Sequence, residues 1–145
     1  MRKTVVFAAV LAAVCAMTSC GSKTYKDGTY TARSAEYVSE DGSENGNGYG
    51  EVEITISRGK ISDVKFLTYE LDGTLKDEDY GKEDGEIKNK DFYNKAQRAR
   101  SACENYAAQL KSKGSLDEVD GVSGATVNYN EFKEAVTAAL KQAEE

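Results

Sequence analysis

Histidine, proline and tryptophan are all missing from this chain of 145 residues, and only three cysteines are present. Each shortage removes a class of chemistry. Without imidazole there is no Ser-His-Asp triad, no histidine-built zinc site and no haem held by a ring nitrogen, and the commonest general base near neutral pH is gone. Basic side chains are the minority, 19 against 25 acidic ones, and the formal charge of −6 argues against nucleic acid or anionic lipid as the partner of the folded surface. A chain this long fits one domain. Its chemistry must come from carboxylates, hydroxyls, tyrosines, one thiol or a borrowed group.

The amino-terminal residues are a processing signal rather than part of a fold. Arg2 and Lys3 precede an almost unbroken apolar run from Thr4 to Ala16, too short to span a bilayer, followed by Met17-Thr18-Ser19-Cys20-Gly21-Ser22. Small residues directly before a cysteine predict a bacterial lipoprotein signal over residues 1–19, with Cys20 the lipidated first residue of the mature chain; an ordinary secretory signal is the plainer alternative. More than one acyl chain on Cys20 would hold the protein firmly on a membrane. Removal of residues 1–19 takes away Arg2 and Lys3 and no acid, so the −6 becomes −8. Cys15 leaves with the signal, so Cys103 is the one remaining thiol and no internal disulfide is expected. Residues 20–27 form a short tether, of which Gly21 to Asp27 reaches about 20 Å when extended, and residues 28–145 form the domain.

Within the domain, Gly28 to Ser34 reads as a strand from its Thr/Tyr content, and Ser39 to Gly50 as a loop. Glu51 to Ser57 alternates, with Val52, Ile54 and Ile56 on one face. Arg58-Gly59 signals a turn, and Lys60 to Tyr69 resumes as a strand with Val64, Phe66 and Thr68 in phase. Ile61 is out of that phase, which predicts a bulge near Ser62-Asp63. Glu70 to Glu86 is rich in acid, but no register supplies the glycine and terminal glutamate of a calcium loop, so it reads as a solvated loop without metal. Asn89 to Lys113 carries Phe92, Ala96, Ala99, Cys103, Tyr106, Ala107 and Leu110 at helical spacing, with Gly114 as its stop. Cys103 on that stripe reads as a core residue. A second helix is expected from Tyr129 to Ala143, started by a capping-box-like Asn128 and Glu131 and buried through Phe132, Ala135, Val136, Ala139 and Leu140. The fold class is α+β, an antiparallel sheet with a central hairpin packed by two amphipathic helices.

Just ahead of the second helix runs Val119-Asp120-Gly121-Val122-Ser123-Gly124-Ala125-Thr126-Val127. Tiny side chains let another group approach the backbone, and the amides of a helix start favour a phosphate. The same run also suits a tight loop whose hydroxyls satisfy its own backbone. Asp120-Gly-Val-Ser-Gly-Ala-Thr126 resembles the flavinylation motif of the FMN-binding domain family, which includes the covalent-flavin subunits of sodium-pumping quinone reductases and many small surface lipoproteins. Lys26 to Thr31, the strand ending Ile54-Thr55-Ile56 ahead of Arg58-Gly59-Lys60-Ile61, and the final helix are similar to the family's order of elements. The segment Lys76 to Gly81 and the helix from Gln97 to Leu110 resemble its membrane-anchored lipoprotein branch.

The resemblance implies a specific modification. In the family, a flavin transferase attaches FMN from FAD through a phosphoester to the last threonine of the motif, which is Thr126 here. Ser123, Gly124 and Ala125, with Gly121, would leave the loop open to that enzyme and line the cofactor, and Asp120 would present the loop or aid transfer. The implied protein is an extracytoplasmic electron carrier, lipid-anchored to the cell membrane, that accepts electrons from a membrane donor and passes them to an extracytoplasmic acceptor. It would be a carrier rather than a stand-alone enzyme. A non-redox surface lipoprotein with the same fold, or a non-covalent FMN binder, are the competing expectations. Quinone-reductase relatives carry a Glu-Thr-Pro-Gly-like segment after the central hairpin. This chain runs Thr68-Tyr69-Glu70-Leu71-Asp72-Gly73 there, so flavin contacts from that region do not carry over. Tyr69 and Tyr80 could stack on a flavin ring, although with nine tyrosines in the chain packing is the plainer role.

Overall fold

Alternation builds the centre of the sheet. In the computed structural model, which describes residues 23–43 and 45–144, Val52, Ile54 and Ile56 of strand β2 (Tyr49–Ser57) are all buried. β2 lies between β1 (Gly28–Arg33) and β3 (Lys60–Tyr69), both antiparallel to it. The expected signal over residues 1–19 and the expected lipidation site Cys20 lie outside the described residues. Arg58 and Gly59 join β2 to β3 with φ of 55° and 74°, the positive pair that suits the twist of a two-residue hairpin. The register slips where Thr55 faces Asp63 and Ile56 faces Ile61, leaving Ser62 as the extra residue of the expected bulge.

Two helices cover one face of this sheet. Helix α1 (Lys90–Lys113) packs on β3 and α2 (Thr126–Glu144) on β1 and β2. Asn89 caps α1 by accepting from the Phe92 amide, and Gly114 ends it at φ 72° with its amide on the Leu110 carbonyl. The core closes where Phe132 meets Phe66 edge-on at 5.0 Å and Tyr106 at 5.7 Å, joining sheet, α1 and α2 in one cluster. Cys103 is buried there as a free thiol. The chain is therefore α+β with a central hairpin, as its pattern implies.

The start of α2 differs from the sequence expectation. It begins at Thr126 rather than Tyr129, and Asn128 lies inside it. Glu131 cannot complete a capping box because its side chain is drawn into the core, leaving 4% of the residue exposed. Tertiary packing overrides the local capping pattern.

The two helices run parallel. The first turns of both line one cavity, and their last turns line a groove at the opposite pole. After a short 3₁₀ turn at Leu116–Glu118, the connection runs back along α1, with Asp120 held at Gln109 and Val122 at Tyr106. That return brings the Asp120–Thr126 segment beside the cavity.

Candidate flavin site

Residues 119–125 have little structure of their own and are held by side chains from both helices. The Gln109 amide brackets Asp120, accepting from its N–H at 2.9 Å and donating to its carbonyl at 3.1 Å. Tyr106 Oη accepts from the Val122 N–H at 3.0 Å and donates to the Ala125 carbonyl at 3.2 Å. Tyr129 Oη donates to the Val119 carbonyl at 2.7 Å. These bonds fix the backbone and leave the small side chains unoccupied.

A turn then presents the helix start. The Ala125 amide donates to the Val122 carbonyl at 3.1 Å, and Gly124 takes φ 82°, a conformation that favours glycine at this turn position. Ala125 is buried, whereas Ser123, Gly124 and Thr126 are exposed. Neither the Ser123 nor the Thr126 hydroxyl has a hydrogen-bond partner among the described residues. The first α2 bond runs from the Tyr129 amide to the Ala125 carbonyl at 3.0 Å, so the amides of Thr126, Val127 and Asn128 precede the helical ladder. An exposed, unbonded hydroxyl thus sits among amides that favour a phosphate.

Beside this turn lies a cavity of about 480 Å³, within the range that holds a cofactor-sized ligand. Gly124, Ala125, Val127 and Asn128 form one wall, and Phe92, Ala96, Ala99, Lys95 and Arg100 of α1 another. The 37–46 loop and Thr68, Lys76 and Tyr80 close the remainder. Gly124 and Ala125 also border a smaller cavity of about 330 Å³ that shares Lys95. A larger groove of about 1020 Å³ lies at the opposite pole, away from the motif.

The expected residues are distributed unevenly around this cavity. Gly124 and Ala125 line it and Ser123 borders the smaller cavity, whereas Thr126 lines neither and stands exposed between the lining residues Ala125 and Val127. Asp120 stands apart, its carboxylate 3.3 Å from Lys113, and only its clamped backbone helps present the loop. Tyr80 lines the cavity, accepting from the Gly46 amide at 3.3 Å, while Tyr69 is stacked on Tyr49 at 5.3 Å. The sequence reading gave two further residues no part in the site. Lys76 and Glu131 are both buried charged side chains, at 6% and 4% exposure. Burial lowers the Lys76 pKa against the pull of Glu131, and raises that of Glu131 to about 7 against the pull of Lys76. Their only sequence signal was position, Lys76 directly before the acidic Asp77-Glu78-Asp79 and Glu131 beside Phe132 on the apolar stripe.

The profile of the FMN-binding domain matches residues 46–141. The chain belongs to the FMN-binding domain family. The matched span runs from Gly46 to the last turns of α2, so it contains the motif and the cavity walls from Thr68 onward, while Tyr37 to Asn45 of the closing loop precede it. No curated protein is significantly similar to the chain. Among solved structures, it is similar to the CPE2226 protein from Clostridium perfringens, at 25% identity and a TM-score of 0.60, over 83% of this chain and 89% of that one. A protein from Clostridium thermocellum solved by NMR is 24% identical, with a TM-score of 0.49, over 83% of this chain and 93% of that one. Flavin binding is thus the function of the family, and the cations, aromatic wall and helix amides of this cavity suit an anionic, aromatic ligand.

Proposed function

We propose that this protein carries FMN as a phosphoester on Thr126 and serves as an electron carrier on the extracytoplasmic face of a membrane, anchored through lipidated Cys20. The observation that carries the attachment is the free, exposed Thr126 hydroxyl at the first position of α2, next to a cavity of cofactor size. Thr126 Oγ1 is the nucleophile toward the FMN phosphorus of FAD. Its new O–P bond forms as the bond to AMP breaks, and the hydroxyl proton passes to a base of the flavin transferase. Helix amides at residues 126–128 would hold the phosphate charge, aided by the cavity-lining cations Lys95 and Arg100. When bound, the flavin supplies the electron chemistry. Ala125, Gly124 and Ser123 keep the approach open because none has a side chain large enough to block it.

Anchoring rests on the sequence pattern around Cys20. No described helix is long and apolar enough to cross a membrane. The electron donor belongs to the membrane and the acceptor lies outside it.

Co-expression with a flavin transferase in the presence of FAD tests the attachment. The expected outcome is flavin fluorescence on a denaturing gel and a mass gain of one FMN, both lost in Thr126→Ala. An adduct that persists in Thr126→Ala rejects the site, and flavin that leaves on denaturation supports the non-covalent alternative. Cys20→Ala is expected to move the protein from the membrane to the soluble fraction.

A further inference from the structure

The attachment motif does not explain the two opposite charges buried near the cavity. Lys76, in the connection after β3, lines the cavity and donates from Nζ to the Gly46 carbonyl at 3.2 Å. Glu131 on α2 does not line the cavity but is buried near Lys76 and Gly50, and neither of its carboxylate oxygens has a hydrogen-bond partner. The two attract one another, yet no ion pair joins them among the described residues. A buried carboxylate without hydrogen bonds is expensive to keep ionised, and an apolar side chain at 131 would suit the neighbouring Phe132 and Ala135 better.

The sheet is nevertheless shaped to admit both side chains. A Cβ at Gly48 would lie 2.8 Å from Lys76 Nζ, and a Cβ at Gly50 would lie 3.1 Å from Glu131 Cβ. The tightest neighbours of such a Cβ are the Tyr69 carbonyl at Gly48 and the Phe66 ring, 2.5 Å away, at Gly50, so glycine at both positions lets backbone, ring and the two charged side chains pack together there. Other groups facing Glu131 leave it no second cation. α1 offers the neutral Cys103 thiol, α2 offers Glu134, the connection after β3 offers Tyr80, and β2 offers Gly50, while Lys76 also faces the carboxylate of Glu70.

We propose that Lys76 and Glu131 form a redox-linked proton site beneath the cavity, Lys76 offsetting the negative charge of a reduced flavin and Glu131 taking up a proton as that charge arrives. The proposal rests on FMN occupying the cavity. Two electrons come from the membrane donor, or from dithionite in the test. One proton binds the flavin ring, leaving one negative charge on it, and a second moves from water to the Glu131 carboxylate, so charge and protons balance. The negative charge entering above Lys76 weakens the hold of that ammonium on the Glu131 carboxylate and favours its neutral form. In a chain without histidine, Glu131 already titrates near neutrality, at about 7.

The test uses the FMN-loaded chain, with loading first confirmed by mass. Flavin midpoint potentials are followed from about pH 5 to about pH 9 for the parent, Glu131→Gln and Lys76→Met. Above neutral pH the parent is expected to take up about two protons per electron pair and Glu131→Gln about one. Lys76→Met is expected to lower the potential throughout. Carbon-13 NMR of the Glu131 carboxyl should show its titration moving to higher pH on reduction, which a merely structural role would not produce. A loaded Glu131→Gln protein with the parent's proton stoichiometry overturns the proton site and leaves the flavin assignment standing. A chain that takes no flavin overturns both.

Discussion

Glu131 makes the stability of the flavin-free protein depend on pH. Its folded pKa of about 7 lies above the ordinary value of 4.5, so the unfolded chain loses this proton first as pH rises. The penalty is therefore absent below about pH 4, grows through the interval up to about pH 7, and stays constant beyond it. Glu131→Gln should leave stability unchanged at the acid end and raise it by about 3 kcal/mol above neutrality, read from urea unfolding at two pH values. Cys103 shows the same burial in a thiol, pushed up to about 12. It should resist iodoacetamide in the native protein and react once denaturant opens the core, as followed on the Cys103 peptide by mass spectrometry. At this scale the sequence was legible where a residue's role is local. Thr126 stood out through its small neighbours and Cys103 through its stripe. Lys76 did not, because an acidic stretch gives no hint that one of its two lysines folds inward to meet a helix more than fifty residues later.

Elements were more legible than the contacts between them. Both strands of the hairpin, the Ser62 bulge and the caps of α1 follow from alternation, phase and terminal residues, all of them properties of a few neighbours. Asn89→Ala should cost about 1 kcal/mol through loss of the bond to the Phe92 amide, measured by chemical denaturation. At Gly50 the constraint is steric, since an added Cβ would stand 2.5 Å from the Phe66 ring. Gly50→Ala should destabilise by about 1 to 3 kcal/mol by overpacking. The early start of α2 was illegible because β-branched Thr126 and Val127 are weak helix formers and Asn128 is a good cap. What lengthens the helix is the hold of Tyr106 on Ala125 and Val122, a contact across the fold.

For the whole molecule, the single cluster through Phe132 ties both helices to the sheet, so the parts should not melt separately. Phe132→Ala is expected to lose about 3 to 5 kcal/mol while tyrosine near-ultraviolet and helical far-ultraviolet signals still unfold together. Split transitions would show that the helices and sheet are separate cooperative units. The parallel helices also set where the ends of the fold lie. Lys23 pairs with Glu144 at 2.9 Å, the Lys26 amide donates to the Ala143 carbonyl at 2.9 Å, and β1 starts at Gly28 opposite Ile56. All three lie at the pole away from the cavity. A pull on the chain ahead of Lys23 therefore meets the last turn of α2 together with the β1–β2 ladder, whose hydrogen bonds stand across the strands and share the load. Both attachments lie at the far end of the fold from the turn bearing Thr126, so mechanical strain at the amino-terminal end enters the molecule a helix length away from that turn.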